Sequence, residues 1–499
     1  MKKVYLVGAG PGDPGLLTIK GMECIRKANV VVYDRLVHPS ILKYVPSDAE
    51  MIYVGKISSD HTMRQEEINQ LLVDKAMEDK IVVRLKGGDP FIFGRGGEEA
   101  EVLVANGIKF EIVPGISSAV AVPAYAGIPV THRGLCSTLG IITGHEDPGK
   151  TTSSIKWDKI STGIDTLVFL MGVENLSNIV ANLINNGRDP SSPIALVRWG
   201  TRAEQETISG TLANIVDKVR LQGFKSPAVT VVGDVVNLRE KLRWFDNRPL
   251  SGLKILVTRS REQSSTLSDI LREYGAEPIE FPVIKISPPE DYIELDRSLE
   301  SIENYDWILF ASANAVLSTI KRLQQLGGDV RWLKGPKIGA IGPKTSEALE
   351  TLGIKVDFTP TVFMAETMIQ EFPENLSGKK ILLPRAKEGR EIIIEKITEK
   401  GAIIDVVTAY QTQIEDSDAT SIQGLLRDKE IDIITFTSSS TVRNFVQLIG
   451  NYKQEPDGPK IACIGPITAQ TATEYGMIPD IIAAENTIES LASVIAETF

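Results

Sequence analysis

The 499-residue chain is 42% hydrophobic and 24% charged, which excludes pervasive disorder and a fibrous class, and its length calls for more than one folding unit. A formal charge of −11 disfavours nonspecific nucleic-acid binding, and no basic stripe interleaved with aromatics offsets it. Three scattered cysteines without a CxxC, and four histidines without ligand spacing, argue against a disulfide frame or a metal site, so the expected setting is a reducing cytoplasm.

The opening Met-Lys-Lys-Val-Tyr-Leu-Val-Gly resembles a signal n-region leading into an h-region. Gly8 to Gly15 interrupts the apolar run after about four residues, short of the roughly 7–15 required, so the segment reads as a first strand. No run of about 20 apolar residues that could span a bilayer occurs along the chain. Apolar runs at Lys3–Val7, Val30–Tyr33, Ile81–Leu85, Thr166–Leu170, Ile194–Val197 and Ala228–Val232 alternate with helical-period segments, which predicts a mostly parallel α/β sheet in the first half. Arg239–Arg248 is charged and leads into Pro249, and a new strand starts at Lys254, placing a domain boundary near residue 247.

Val7-Gly-Ala-Gly-Pro-Gly-Asp-Pro14 follows the first strand and precedes a helical segment from about Leu16, a Gly-rich turn that can approach a ligand closely. A dinucleotide fingerprint is the rival reading. Gly8 and Gly10 match its first two glycines and Asp34 ends the next strand where a ribose-binding acid would stand, but Asp13 takes the third glycine position and Pro11 stiffens the loop. Taken alone, the loop also fits a bare structural turn. A second loop, Leu85–Glu99, packs five glycines, acidic residues and an arginine behind a strand, a density that a simple connector does not require.

The ordered blocks Gly8–Gly15, Lys86–Glu99, Val113–Ser118, Gly127–Arg133 and Phe169–Gly172 resemble the uroporphyrinogen III C-methyltransferase family over nearly all of residues 1–245. The resemblance implies a tetrapyrrole-methylase fold of two α/β subdomains, about 1–113 and 114–245, distinct from the Rossmann methyltransferases, with S-adenosylmethionine held between them. It places Pro11, Gly87, Gly88, Asp89, Ile92, Ser117, Ser118, Met171 and Gly200 at the cofactor. It makes Asp34 a proton acceptor and Lys56 a proton donor, with Arg95 and Glu98 positioning substrate or assisting proton transfer. A homodimer through this half is expected on the same ground. The chemistry is compatible: glycines admit backbone approach, Asp89 can accept hydrogen bonds or sit near a sulfonium charge, and an Arg95 fork suits a propionate or acetate. Read alone, Met171 is a core residue, Asp34 a strand-end carboxylate and Lys56 a solvated lysine.

The second half repeats itself. Lys254–Arg259 recurs as Lys380–Arg385, Ile308–Val316 as Ile434–Val442, and Ile338–Thr345 as Ile461–Thr468, a lobe duplication and not a solenoid period. The blocks Val257–Arg259, Phe310–Asn314, Ile338–Pro343, Ala409–Thr412, Phe436–Ser440 and Ile464–Thr468 resemble uroporphyrinogen III synthase. That family implies a two-lobed α/β domain with an inter-lobe cleft. Beyond a linker at 246–252, residues 253–499 would then form lobes of about 253–283 plus 413–499 and of 288–402, joined by strands Glu277–Ile286 and Ile403–Thr412. Sequence pattern alone favours a linear tandem.

The implied reaction is cyclisation of hydroxymethylbilane, with inversion of the last ring through a spiro intermediate, and it needs no cofactor. Tyr410 matches the family tyrosine considered as an acid for hydroxyl departure, and is equally a packed strand tyrosine. Ser312, Ser439, Ser440 and Thr468 sit at strand-to-helix turns where they can take substrate carboxylates or simply cap helices. Arg259 and Arg385 are repeat-related substrate candidates at strand ends. The halves would act consecutively, with two C-methylations giving precorrin-2, the precursor of sirohaem or cobalamin, which leaves unoxidised for want of a dehydrogenase segment. The alternatives are another precorrin methylase, and a C-terminal half that binds tetrapyrrole without catalysis.

Overall fold

The computed structural model describes residues 3–55, 63–145, 153–259, 261–361, 365–373, 375–387, 392–414, 419–450 and 452–499. The chain forms two compact units, one of Met1–Lys254 with Leu271–Glu277 and Phe499, the other of Ile255–Ile270 with Pro278–Thr498. No described helix is long and apolar enough to cross a membrane.

The first unit begins with β1 (Lys3–Gly8), β2 (Val30–Tyr33), β3 (Glu50–Tyr53), β4 (Ile81–Lys86) and β5 (Lys109–Val113), in sheet order β3-β2-β4-β1-β5. All four pairings are parallel. Helices cover both faces of a parallel sheet, so its strands read as continuous apolar runs, and in β4 Val82, Val83 and Leu85 are fully buried. A second sheet takes β6 (Leu139–Thr143), β7 (Thr166–Leu170), β8 (Pro193–Arg198), β9 (Glu206–Thr211) and β10 (Ala228–Val232) in the order β6-β7-β10-β8-β9.

Only β6 and β7 are parallel there; β10 runs against β7 and β8, and β8 against β9. This corrects the expectation of a mostly parallel sheet across the whole half. A parallel crossover takes a dozen or more residues, and the stretch 199–205 between β8 and β9 is too short to supply one.

Residues 239–250 pack onto this unit. Asp246 pairs with Arg239 and accepts from Gln205 Nε2 at 2.7 Å, Trp244 Nε1 donates to the Ala124 carbonyl at 3.1 Å, and Phe245 and Leu250 are buried.

The second unit holds β11 (Lys254–Val257), β12 (Glu277–Glu280), β13 (Ile284–Ser287), β14 (Trp307–Phe310), β15 (Lys337–Ala340), β16 (Lys380–Ala386), β17 (Ile403–Ile414), β18 (Ile433–Phe436), β19 (Lys460–Cys463) and β20 (Pro479–Ile482). They form two sheets, β12-β11-β18-β19-β20 and β13-β17-β16-β14-β15. Ile255 therefore pairs with Ile433 across the whole intervening lobe. A linear tandem would have kept the two apart. The segment 277–286, expected as one strand, is two: Phe281 and Val283 donate backbone bonds to Val257 and Thr258, while Pro282 between them has no N–H to offer and the chain changes sheets.

His38 opens the short helix Pro39–Leu42, its Nδ1 accepting from Ser40 N at 3.2 Å, so that nitrogen carries no proton. Burial, aided by the charge of Arg202, pushes the imidazole down from 6.5 to about 4. The unfolded chain then takes up a proton that the folded one refuses, so this contribution to stability is complete above the unfolded value and declines as pH falls through the folded one. The thermal midpoint of the first unit is expected to drop between about pH 6.5 and 4. In His38→Asn, which keeps a capping acceptor, the drop should be shallower, and calorimetry across that range checks it.

Candidate active sites

Ligands of open α/β sheets bind outside the carboxyl ends of the strands. Here β1 and β4 end in the two glycine-rich loops, which are zipped together: Ala9 N donates to the Lys86 carbonyl at 2.8 Å, and Gly10 and Gly88 exchange both backbone bonds at 3.2 and 2.7 Å. Gly115, beyond the end of β5, closes the group. A Cβ on Gly8 would stand 2.5 Å from Gly115 Cα, so only glycine fits there.

Beside these loops lies a cavity of about 670 Å³. Of the expected cofactor residues, Pro11, Gly87, Gly88, Ile92, Ser118, Met171 and Gly200 line it. Two glycines keep it open, since a Cβ on Gly87 would meet Leu36 at 2.6 Å and one on Gly200 would meet Val122 at 2.4 Å. Ile92 and Met171 stay 39% and 51% exposed, an apolar surface left without a protein partner. A ligand with both apolar and polar parts fits this lining.

Asp89 and Ser117 do not line the cavity. Asp89 spends Oδ1 on Phe91 N at 2.8 Å and Oδ2 on Gly115 N at 3.1 Å, pinning one loop to the other, and Ser117 caps the helix Ser118–Tyr125 by accepting from Ala119 N. Asp13 is equally occupied: its Oδ2 accepts from Tyr125 at 2.8 Å and its N–H reaches Thr201 Oγ1 at 3.0 Å. After Asp13 the chain makes a single 3-10 turn, Pro14–Leu16, where a dinucleotide fold would begin its helix.

Asp34 and Arg95 also reach the cavity. Asp34 is anchored by Leu36 N on Oδ1 at 3.0 Å and by Arg84 on Oδ2 at 3.2 Å. Arg95 is held by Glu98, its Nε at 3.0 Å from Oε1 and its NH2 at 2.6 Å from Oε2, with both side chains half exposed. Such a pair is weak in water, so a substrate carboxylate can replace Glu98 in the guanidinium fork. Glu98 stands outside the lining. Lys56 lies outside the described residues.

Most of the cavity's charge comes from residues that sequence reasoning missed, all but Arg95 and Asp34 of those that follow. Arg35, Arg84, Lys86, Arg95 and Arg202 line it against Asp34 and Glu174, an excess of cations inside a chain of net charge −11. Arg84 and Lys86, two apart in an otherwise apolar buried strand, were the readable signal. Backbone strain collects here too: of seven non-glycine residues with positive φ among those described, Phe93, Arg95, Met171 and Trp199 line this cavity. Strain of that kind persists where a site requires it.

In the second unit Tyr410 is 8% exposed on β17, its hydroxyl 3.1 Å from Ser312 Oγ. Ser312 also caps the helix Ala313–Gln325. A cavity of about 710 Å³ is lined by Ser439, Ser440, Thr468 and, unanticipated, Ser438, Arg443 and Asn486. The cap of the helix Ser439–Ile449 is Ser438, which leaves Ser439 and Ser440 in the first turn; Gly465 caps the helix Pro466–Glu474, with Thr468 in its first turn. Two helix N-termini and Arg443 thus face one space, an arrangement suited to carboxylates. Ser312, Tyr410, Arg259 and Arg385 fall outside that lining. Burial pushes the Arg259 guanidinium down, with Glu489 partly offsetting it.

Comparison with known proteins returns two families on one chain. Residues 3–216 match the family described as tetrapyrrole (corrin/porphyrin) methylases, and residues 265–493 the family described as uroporphyrinogen-III synthase HemD. The porphyrin biosynthesis protein HemD of Ruminiclostridium josui is 42% identical over 99% of this chain and 97% of its own. A uroporphyrinogen-III C-methyltransferase of Bacillus subtilis is 38% identical over 93% of this chain and 92% of its own. An S-adenosyl-L-methionine-dependent uroporphyrinogen III methyltransferase of Methanosarcina barkeri is 56% identical over 48% of this chain and 94% of its own.

Proposed function

The chain belongs to the tetrapyrrole methylases in its N-terminal half and to the uroporphyrinogen-III synthases in its C-terminal half, and from that premise we propose how each half carries out its step. It is a bifunctional enzyme of tetrapyrrole synthesis: hydroxymethylbilane is cyclised to uroporphyrinogen III, which is then methylated twice with S-adenosylmethionine to precorrin-2.

The observation that carries the methyltransferase reading is a glycine-built cavity, partly apolar and lined by five cations. Bound S-adenosylmethionine supplies an electrophilic methyl group. Gly87, Gly88 and Gly200 leave room for it, and Ile92 and Met171 cover its apolar part. Arg35, Arg95 and Arg202 take the acetate and propionate groups of the substrate, so that one pyrrole carbon faces the methyl in line. Gaining the methyl leaves the macrocycle positively charged, and it must then lose a ring proton, which Asp34, fixed by Arg84 and Leu36 N, accepts.

In the synthase half, Tyr410 protonates the departing hydroxyl, steadied by Ser312. The paired helix N-termini at Ser438 and Gly465, with Arg443, hold carboxylates so that the linear tetrapyrrole stays folded for closure. We place the enzyme in the cytoplasm, and assign it a homodimer through the methyltransferase half.

The test is an anaerobic assay of the whole chain with hydroxymethylbilane and S-adenosylmethionine, resolving uroporphyrin isomers and methylated products by chromatography and mass. Dimethylated type III product is expected. Type I product alone, without methylation, would refute both assignments.

A further inference from the structure

Behind the floor of the methyltransferase cavity lies a buried charge cluster that substrate binding and proton transfer leave largely unused. Arg84 and Lys86 are each 4% exposed and Glu99 is fully buried. Glu99 Oε1 accepts from Lys86 Nζ at 2.6 Å, from Gln65 Nε2 at 3.2 Å and from Arg84 Nε at 3.3 Å, while its Oε2 has no partner among the described residues. Arg84 continues the chain: its NH2 donates to Asp34 Oδ2 at 3.2 Å and its NH1 to the Leu85 carbonyl at 3.0 Å. Asp34, Arg84, Lys86 and Gln65 line the cavity, and Glu99 stands behind them on the helix Gly96–Ala105.

Stability gives no reason to build this. Burying charges costs several kcal/mol per ion, and well-packed apolar residues of similar volume do as well or better. Glu99 moreover leaves one carboxylate oxygen unsatisfied at zero exposure, a further cost. The cost is borne two hydrogen bonds from the residue read as proton acceptor, with Arg84 between.

We propose that Glu99 is a positioning residue for methyl transfer: by gripping Arg84 and Lys86 together it aims Arg84 at Asp34 and keeps Lys86 as a cation on the cavity floor, beneath the anionic substrate. This rests on the assignment of Asp34 as acceptor. Lys86 is faced by Arg84 on its own strand, by Glu98 and Glu99 on the helix, and by Asp34 at the end of β2. Burial and Arg84 push its ammonium down, and Glu99 opposes them. Loss of the Glu99 charge therefore lets Lys86 lose its proton at lower pH.

The experiment compares Glu99→Gln, Glu99→Asp and the charge-balanced Glu99→Gln/Lys86→Met in the full chain, monitoring anaerobic methylation of supplied uroporphyrinogen III against pH. Affinity for S-adenosylhomocysteine is measured by calorimetry alongside. For Glu99→Gln a fall in kcat of about tenfold or more is expected, with cofactor-product affinity within about threefold and the alkaline limb displaced to lower pH. Glu99→Asp should restore part of the rate. The double variant should fold and stay slow.

A folded Glu99→Gln with wild-type kcat and pH profile overturns the proposal, as does a folded double variant at wild-type rate. If neither variant folds, Glu99 serves stability alone and the proposal is equally overturned. Asp34→Asn, run in parallel, separates the premises: a slow Asp34→Asn beside a normal Glu99→Gln rejects only the role of Glu99. A normal Asp34→Asn rejects the acceptor itself.

Discussion

Asp34→Asn is expected to slow C-methylation by about 10²- to 10⁴-fold, the usual contribution of a positioned general base, while closure of hydroxymethylbilane continues unchanged. Asparagine keeps the shape and an acceptor for Leu36 N, so the backbone turn after β2 survives. What it loses is the charge opposite Arg84 and the ability to take a proton. Because the proton leaves after the methyl arrives, S-adenosylhomocysteine should bind within about threefold of wild type, and the loss should sit in kcat more than in KM. Single-turnover methylation of supplied uroporphyrinogen III, with calorimetry of cofactor-product binding, checks both. A rate within threefold of wild type would assign the proton to water or to another group.

Trp307→Ala should remove the synthase activity on mild warming and leave methylation of supplied uroporphyrinogen III in place. Trp307 is fully buried on β14. Its ring lies 4.7 Å from that of Phe372, which in turn lies 5.0 Å from Phe358. Truncating so large a core side chain costs about 3–5 kcal/mol through lost burial and an unfilled cavity. Domains hold only about 5–15 kcal/mol in all, so that is a large share for one lobe of the second unit. Two assays on one sample, type III isomer formation and methyl incorporation, decide the outcome after brief heating. Parallel loss of both activities would mean that the units do not unfold separately.

The two glycine-rich loops were legible in the sequence because what they need is local. A loop that brings backbone against backbone must be glycine, as Gly8 facing Gly115 requires, and that demand is written at the position itself. The buried strands were legible for the same kind of reason: Ile81–Lys86 is covered on both faces and says so in its apolar run. The duplication of the second half survived in the repeated strand-and-turn segments that end β14 and β18, and β15 and β19.

What only the tertiary structure decided were partners far apart in the chain. Asp89 reads as a ligand contact in the sequence, and only the fold places its two oxygens on Phe91 N and on Gly115 N, the latter 26 residues away. Glu99 carried no mark in its loop; it matters because a helix returns it to lie under Arg84 and Lys86. The direction of β10 and the interleaving of the two lobes were likewise set by pairing between distant strands. Local sequence determines what a segment can do with its own backbone and its nearest side chains. Hydrogen bonds and charges act over a few ångströms in space, and which groups come that close is settled only when the chain has folded.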